Sequence, residues 1–172
     1  MWNLNKKKQV FLDIIIILCW MGIVFTFSSQ IGKTSTNLSG SIASKLVDIV
    51  HKNEELSSKE RTKLINSYNH VIRKLAHYTI YLLGGVAIIS FVNSLLDHKW
   101  KAILATLLTG FIYASSDEIH QYFVSGRDAR FTDVLIDTAG ILTGIIIYLI
   151  VLAIGNRKRN KNKKNKEIEE CI

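Results

Sequence analysis

The chain has 172 residues, a hydrophobic share of 48% and a formal charge of +8. That share is ordinary for a globular protein, but the apolar residues lie in long runs with the charges between them, which argues against a soluble single-core domain. Seven of the 22 Lys and Arg fall between Arg157 and Lys166, directly after an apolar run, which favours a membrane flank over nucleic-acid binding.

The first apolar run, residues 10–28, carries Asp13 as its only charge. Lys6, Lys7 and Lys8 precede it as they would in a signal peptide. The run is long, however, and FTFSSQIG is a poor cleavage site, so it reads as a retained helix. Residues 29–74 read as a helical loop. Leu38, Ile42, Leu46, Ile49 and Val50 recur at helical spacing. Ser57 and Glu60 have capping-box spacing for a second helix. That helix carries a stripe of Leu64, Tyr68, Val71, Ile72 and Leu75 into the next apolar run, residues 75–96. A third, shorter run occupies 101–121, and a fourth, 134–155, is interrupted only by Asp137. Residues 156–172 form a basic tail. Cys19 lies in an apolar run and Cys171 in the tail, which argues against a disulfide, and there is no CxxC pattern. The absence of proline removes the commonest cause of a helix kink.

The expected fold is therefore all-α: a polytopic membrane protein with four transmembrane helices and an amphipathic helical extracellular loop after the first. Residues 1–155 form the membrane domain. Lysines at the N-terminus, Lys99 and Lys101 between the second and third runs, and the basic tail place these three regions on the cytoplasmic side. The loop from Ser28 to Lys74 has eight basic residues. They count against this orientation, but acids accompany them and long loops weigh less. The expected localisation is the cell membrane, multi-pass, with both termini cytoplasmic.

About 20 residues cross the hydrocarbon at 1.5 Å per residue. Counted from Lys8 this distance ends at Ser28; back from Asp97, at His77; from Lys101, at Gln121; and back from Arg157, at Asp137. Four counts thus place polar residues of four helices in one layer, the outer membrane boundary.

Charged groups at such a depth face the bundle interior and pair there. Tyr113, Asp117, His120 and Gln121 share a face by i,i+3 and i,i+4 spacing, with Glu118 about 100° round. Asp133, Asp137, Gly140 and Gly144 form a second stripe. Arg73 or Lys74, His77, Tyr78 and Tyr81 form a third. The expectation is one cavity open to the outside. Gly140 and Gly144 read as an ordinary helix-packing face. Arg127 and Arg130, on a short connection, suit bidentate contacts to phosphate or carboxylate; the alternative is internal pairing with Glu118, Asp133 or Asp137. His77, Asp117, Glu118 and His120 are the candidate catalytic groups. The candidate binding residues are Lys74, Tyr81, Gln121, Arg127, Arg130, Asp133 and Asp137. His77, Asp117 and His120 are metal ligands by type, but DEIH is not HExxH and no Cys cluster supports a site, so no metal is expected.

In order along the chain, FSSQ (Phe27–Gln30), RKLAHYTIYLLGG (Arg73–Gly85) and SDEIHQYFVSGRDARFTDVLIDTAGILTG (Ser116–Gly144) resemble the VanZ-like family of membrane proteins. The likeness covers most of residues 10–150. Ser125-Gly126-Arg127 stands where the family often has Pro-Gly-Arg, which loses turn rigidity and keeps the arginine. The family's signature positions fall on Lys74, His77, Asp117, Glu118, His120, Gln121, Arg127, Asp133 and Asp137. The resemblance implies a relation to an accessory protein of resistance to teicoplanin, a lipid-tailed glycopeptide. Two functions are weighed from it: modification of a lipid-linked cell-envelope component at the outer leaflet, or non-enzymatic binding of an anionic lipid or of the glycopeptide antibiotic itself. Transport is less favoured, since no polar path crosses the membrane. The expected partners are thus a membrane lipid or lipid-linked precursor, or the antibiotic, with no nucleic acid. Cofactor and oligomeric state stay open.

Overall fold

The computed structural model describes residues 4–29, 32–52, 54, 56–127 and 129–169; of residues 5, 32–38, 164 and 166–169 it describes the backbone alone. Gln30, Asp128 and Cys171 therefore lie outside the described residues, as does the side chain of Leu38. Five helices follow in order: α1 (Leu4–Ser28), α2 (Gly32–Val50), α3 (Ser58–Leu95), α4 (Lys99–Tyr122) and α5 (Phe131–Glu169). There is no strand among the described residues.

Three of these helices, α1, α3 and α5, are long and apolar enough to cross a membrane. The fourth expected span, α4, is not among them. Its uncharged stretch runs only from Ala102 to Ser116, bounded by Lys101 and Asp117. Apolar side chains point outward along the spanning helices, including Phe11, Leu12, Leu18 and Phe25 of α1 and Ile150, Val151 and Ile154 of α5. The buried stripe of α1 is Asp13, Trp20, Val24 and Ser28, one helical face that is polar at both ends. This pattern is what a lipid environment selects.

Helix α3 begins where the sequence places it. The Ser57 hydroxyl accepts from the Glu60 N–H, and the Glu60 carboxylate accepts from the Ser57 N–H at 3.0 Å, a complete capping box. Such a cap contributes about 0.5–2 kcal/mol. The helix then runs unbroken for 38 residues, so the helix capped at Ser57 and the second apolar run are one rod. At ~57 Å it is far longer than the hydrocarbon is thick.

Helix α2 packs on the first half of α3, but not by the stripe read from the sequence. Ser39, Ala43 and Val47 are buried, while Ile42, Leu46, Ile49 and Val50 are exposed. The small residues let the two helices approach, and the bulky ones are left on the outer face.

Helices α3 and α5 run in the same direction, with Tyr78 opposite Thr143 and Asn93 opposite Tyr148. Helix α1 runs antiparallel to α3: Trp20 Nε1 donates to the Ile80 carbonyl at 2.8 Å, and Ser90 donates to Asp13 at 3.3 Å. Asp13 is thus a buried acid paired with a hydroxyl. Helix α4 also runs antiparallel to α3, after a short turn at 96–98. Its buried face, Ala102, Thr106, Gly110 and Ala114, is made of small residues. The core between the four helices holds Trp20, Tyr81, Ile88, Ile89, Ile141 and Ile145. Helix α5 does not stop at residue 155; the basic tail continues it to Glu169.

Candidate functional site

The four residues reached by counting lie together at one end of the bundle. The Ser28 hydroxyl, at the end of α1, donates to Asp117 Oδ1. Gln121 Nε2 donates to Ser28 Oγ and to Asp117 Oδ2, both at 3.0 Å. His77 Nδ1 of α3 lies 3.8 Å from Asp137 Oδ2 of α5. A ligand atom from each of His77, Asp117 and Asp137 lies within 4.8 Å of the other two. Asp117 and Asp137 are 7% and 1% exposed, so both carboxylates are held away from bulk solvent. Asp137 Oδ1 is buried and has no hydrogen-bond partner among the described residues. A buried acceptor left in that state costs about 1–3 kcal/mol, and a charged one more.

The loop after α4 closes this end. Gly126 has φ 78°, a left-handed turn that glycine adopts without strain. The turn brings Arg127 back over the bundle, where Nη2 donates to the Phe27 carbonyl at 2.8 Å and Nη1 to Gln121 Oε1 at 3.1 Å. Burial, with Arg73 nearby, pushes the Arg127 guanidinium below its ordinary value. It stays a cation at neutral pH, since arginine starts so high. Glu118 accepts from the Arg130 backbone N–H, at the residue before α5 begins. A carboxylate there meets both an orphan amide and the positive end of the helix dipole. Lys74 pairs with Asp133 at 3.0 Å.

Several expectations shift accordingly. Asp133 pairs with Lys74. Glu118 serves the start of α5 rather than the cluster. His120 shares a helix face with Asp117 only approximately. Its ring stacks on Phe25 at 5.1 Å between centroids, and Nε2 lies 3.2 Å from the Ser29 hydroxyl, so it turns to α1 and away from His77. The rotation of α4 is set by its small-residue stripe, which points Asp117 and Gln121 inward and carries His120 aside. Tyr81 is fully buried between Trp20 and Tyr113. Its hydroxyl faces Asp117 without reaching hydrogen-bond geometry, so it lies beneath the site and not on a ligand-facing wall. The hydroxyl of Tyr113 donates to the Met21 carbonyl at 3.2 Å. Ser28 and Arg73 join the site without having been named as binding residues. The depth count ended on Ser28, and Arg73 stood as an alternative to Lys74.

Two cavities meet at His77 and Arg73. One, about 10 Å³, has room for a single water and is lined by Arg73, Lys74, His77, Gln121, Asp133, Ile136 and Asp137. The other is an open groove of about 560 Å³ between α1, α2 and α3. Val24, Phe27, Ile42, Ile72, Leu75, Ala76, Ile80 and Leu83 make its walls apolar, and Arg73, His77 and Arg127 stand at its polar end. An apolar length of wall therefore ends at two guanidinium groups and an imidazole.

A family model described as VanZ/LLP1 matches residues 11–152. The chain belongs to the VanZ/LLP1 family. No curated protein and no solved structure matches it. The family match covers α1 through most of α5, so the polar cluster and the groove both lie inside the VanZ/LLP1 region.

Proposed function

We propose that this VanZ-like protein modifies a lipid-linked component of the cell envelope at the outer leaflet, and that the modification lowers access by lipoglycopeptides such as teicoplanin. The groove ending at Arg73, His77 and Arg127 carries this reading. Its apolar walls suit a lipid chain, and its two guanidinium groups suit a phosphate headgroup. The half-buried His77 and the buried Asp117 and Asp137 supply proton-accepting groups beside that headgroup. The same groove would also serve non-enzymatic masking of an anionic lipid or of the antibiotic; in that case the lipid leaves unchanged.

In this account α4 crosses the membrane as a fourth span, short but shielded by its small-residue contacts with α3 and α5. Both termini are then cytoplasmic, and α2 with the start of α3 lies outside. The orientation has its own test. In a Cys19→Ser, Cys171→Ser background, a single cysteine at Ser125 is expected to react with an impermeant thiol reagent on intact cells. One at Asn162 is expected to react only after lysis. The reverse result would put the polar cluster on the cytoplasmic side.

The groove is tested by binding. Purified protein in detergent, titrated with a short polyprenyl phosphate, is expected to bind it. Arg127→Gln is expected to weaken binding roughly 10-fold or more, the usual effect of losing a charge-assisted hydrogen bond. Ala76→Trp, which fills the groove wall, is expected to weaken it as well. Equal affinity in all three proteins would remove the groove from the account.

A further inference from the structure

The polar cluster has a feature that lipid binding leaves unused. His77, Asp117 and Asp137 come from three different helices, α3, α4 and α5, and offer one imidazole nitrogen and two carboxylates to a common point. Asp137 Oδ1 is buried there with no hydrogen-bond partner among the described residues. Asp117 is already oriented from behind by Ser28 and Gln121, the kind of outer support that metal-ligating carboxylates receive. The Tyr81 hydroxyl faces the same carboxylate from below. Cations near the cluster are engaged elsewhere in part: Lys74 with Asp133, and Arg127 with Gln121 and the Phe27 carbonyl.

We infer that His77, Asp117 and Asp137 hold one divalent first-row metal ion, zinc or manganese, beside the small cavity. Ligand atoms around one such ion sit roughly 3–4 Å apart at bond lengths near 2.1 Å. The observed separations, within 4.8 Å, need only small side-chain rotations to close. One imidazole with two carboxylates suits zinc or manganese better than a soft, thiolate-seeking metal. The small cavity beside His77 and Asp137 leaves an open side toward Arg73 and Lys74, where a water or a headgroup oxygen could complete the shell. This inference rests on the proposed lipid-modifying reading for its meaning, but the binding itself does not depend on it. His77 and Asp117 are ligands by type already in the sequence, but there they stand with His120; Asp137 replaces it because the three ligands come from separate helices and match no ligand spacing.

The test uses full-length protein in nanodiscs, equilibrated with Mn²⁺ or Zn²⁺ and desalted. About one equivalent of metal is expected by elemental analysis, with metal-dependent thermal stabilisation. Asp137→Asn is expected to retain at most about a tenth of it, whereas Asp48→Asn, an exposed acid paired with Arg61, keeps it all. Should removal of a buried carboxylate prevent folding, the wild type still decides. Electron spin echo modulation of its Mn²⁺ form is expected to show one coordinated imidazole nitrogen. No bound metal, full retention by a folded Asp137→Asn protein, or bound Mn²⁺ without a nitrogen ligand would each overturn the site. Lipid modification without bound metal would sink this inference and leave the proposed function standing; bound metal with unaltered lipids would do the opposite.

Discussion

Gly144→Val is expected to cost about 3 kcal/mol or more, enough to collapse the bundle's centre in a protein of ordinary marginal stability. A Cβ at Gly144 would lie 2.2 Å from the Leu82 carbonyl oxygen, 2.9 Å from the Val86 nitrogen and 3.1 Å from Gly85 Cα. All three are backbone atoms of α3, so no side-chain rotation relieves the clash. The two helices would have to separate, and with them the contact that sets His77 of α3 against Asp137 of α5. Gly22→Val is the control, since a Cβ there meets nothing within 4 Å. Thermal unfolding of the detergent-solubilised variants checks the difference. Equal stability of the two would mean that α3 and α5 do not pack as described.

The second large effect is functional. Asp117→Asn is expected to lower activity roughly 100-fold or more, with a smaller loss of stability of about 1–3 kcal/mol. Asp117 accepts from both Ser28 and Gln121. An asparagine that keeps its oxygen toward the Ser28 hydroxyl sets its NH₂ against the Gln121 NH₂. If Gln121 flips to relieve this, its Oε1 no longer accepts from Arg127 Nη1. One isosteric change therefore removes the charge and disconnects the arginine. Lipoglycopeptide susceptibility, read beside a measure of membrane insertion, checks it. Full activity in a correctly inserted Asp117→Asn protein would exclude Asp117 from the chemistry.

The convergence of the polar residues was legible in the sequence for a simple reason. Helices without proline advance uniformly, so a count from each charged flank lands near Ser28, His77, Gln121 and Asp137, and these residues do converge. The start of α3 was legible because Ser57 and Glu60 carry a local, self-contained signal. Helix rotation was harder. His120 and Asp117 are three residues apart, and a turn of less than 100° decides which faces the interior. On α4 that choice is made by Ala102, Thr106, Gly110 and Ala114, whose importance lies in what α3 and α5 bring against them. The same holds for α2, where Ala43 and Val47 outrank the bulkier Ile42 and Leu46 in packing. Small residues carry little hydrophobic signal, yet they fix how closely helices approach. The metal-type cluster was hidden for a related reason, since its members meet only after three helices have docked.

The central claim is that the cluster at the end of the groove acts on a lipid-linked envelope component. Its most direct test is mass spectrometry of lipid-linked precursors from cells that carry the protein, lack it, or carry the inserted Asp117→Asn variant. The account predicts a precursor mass present only with the intact protein. Identical precursor profiles in all three, alongside altered lipoglycopeptide susceptibility, would contradict modification and leave binding as the function of the groove.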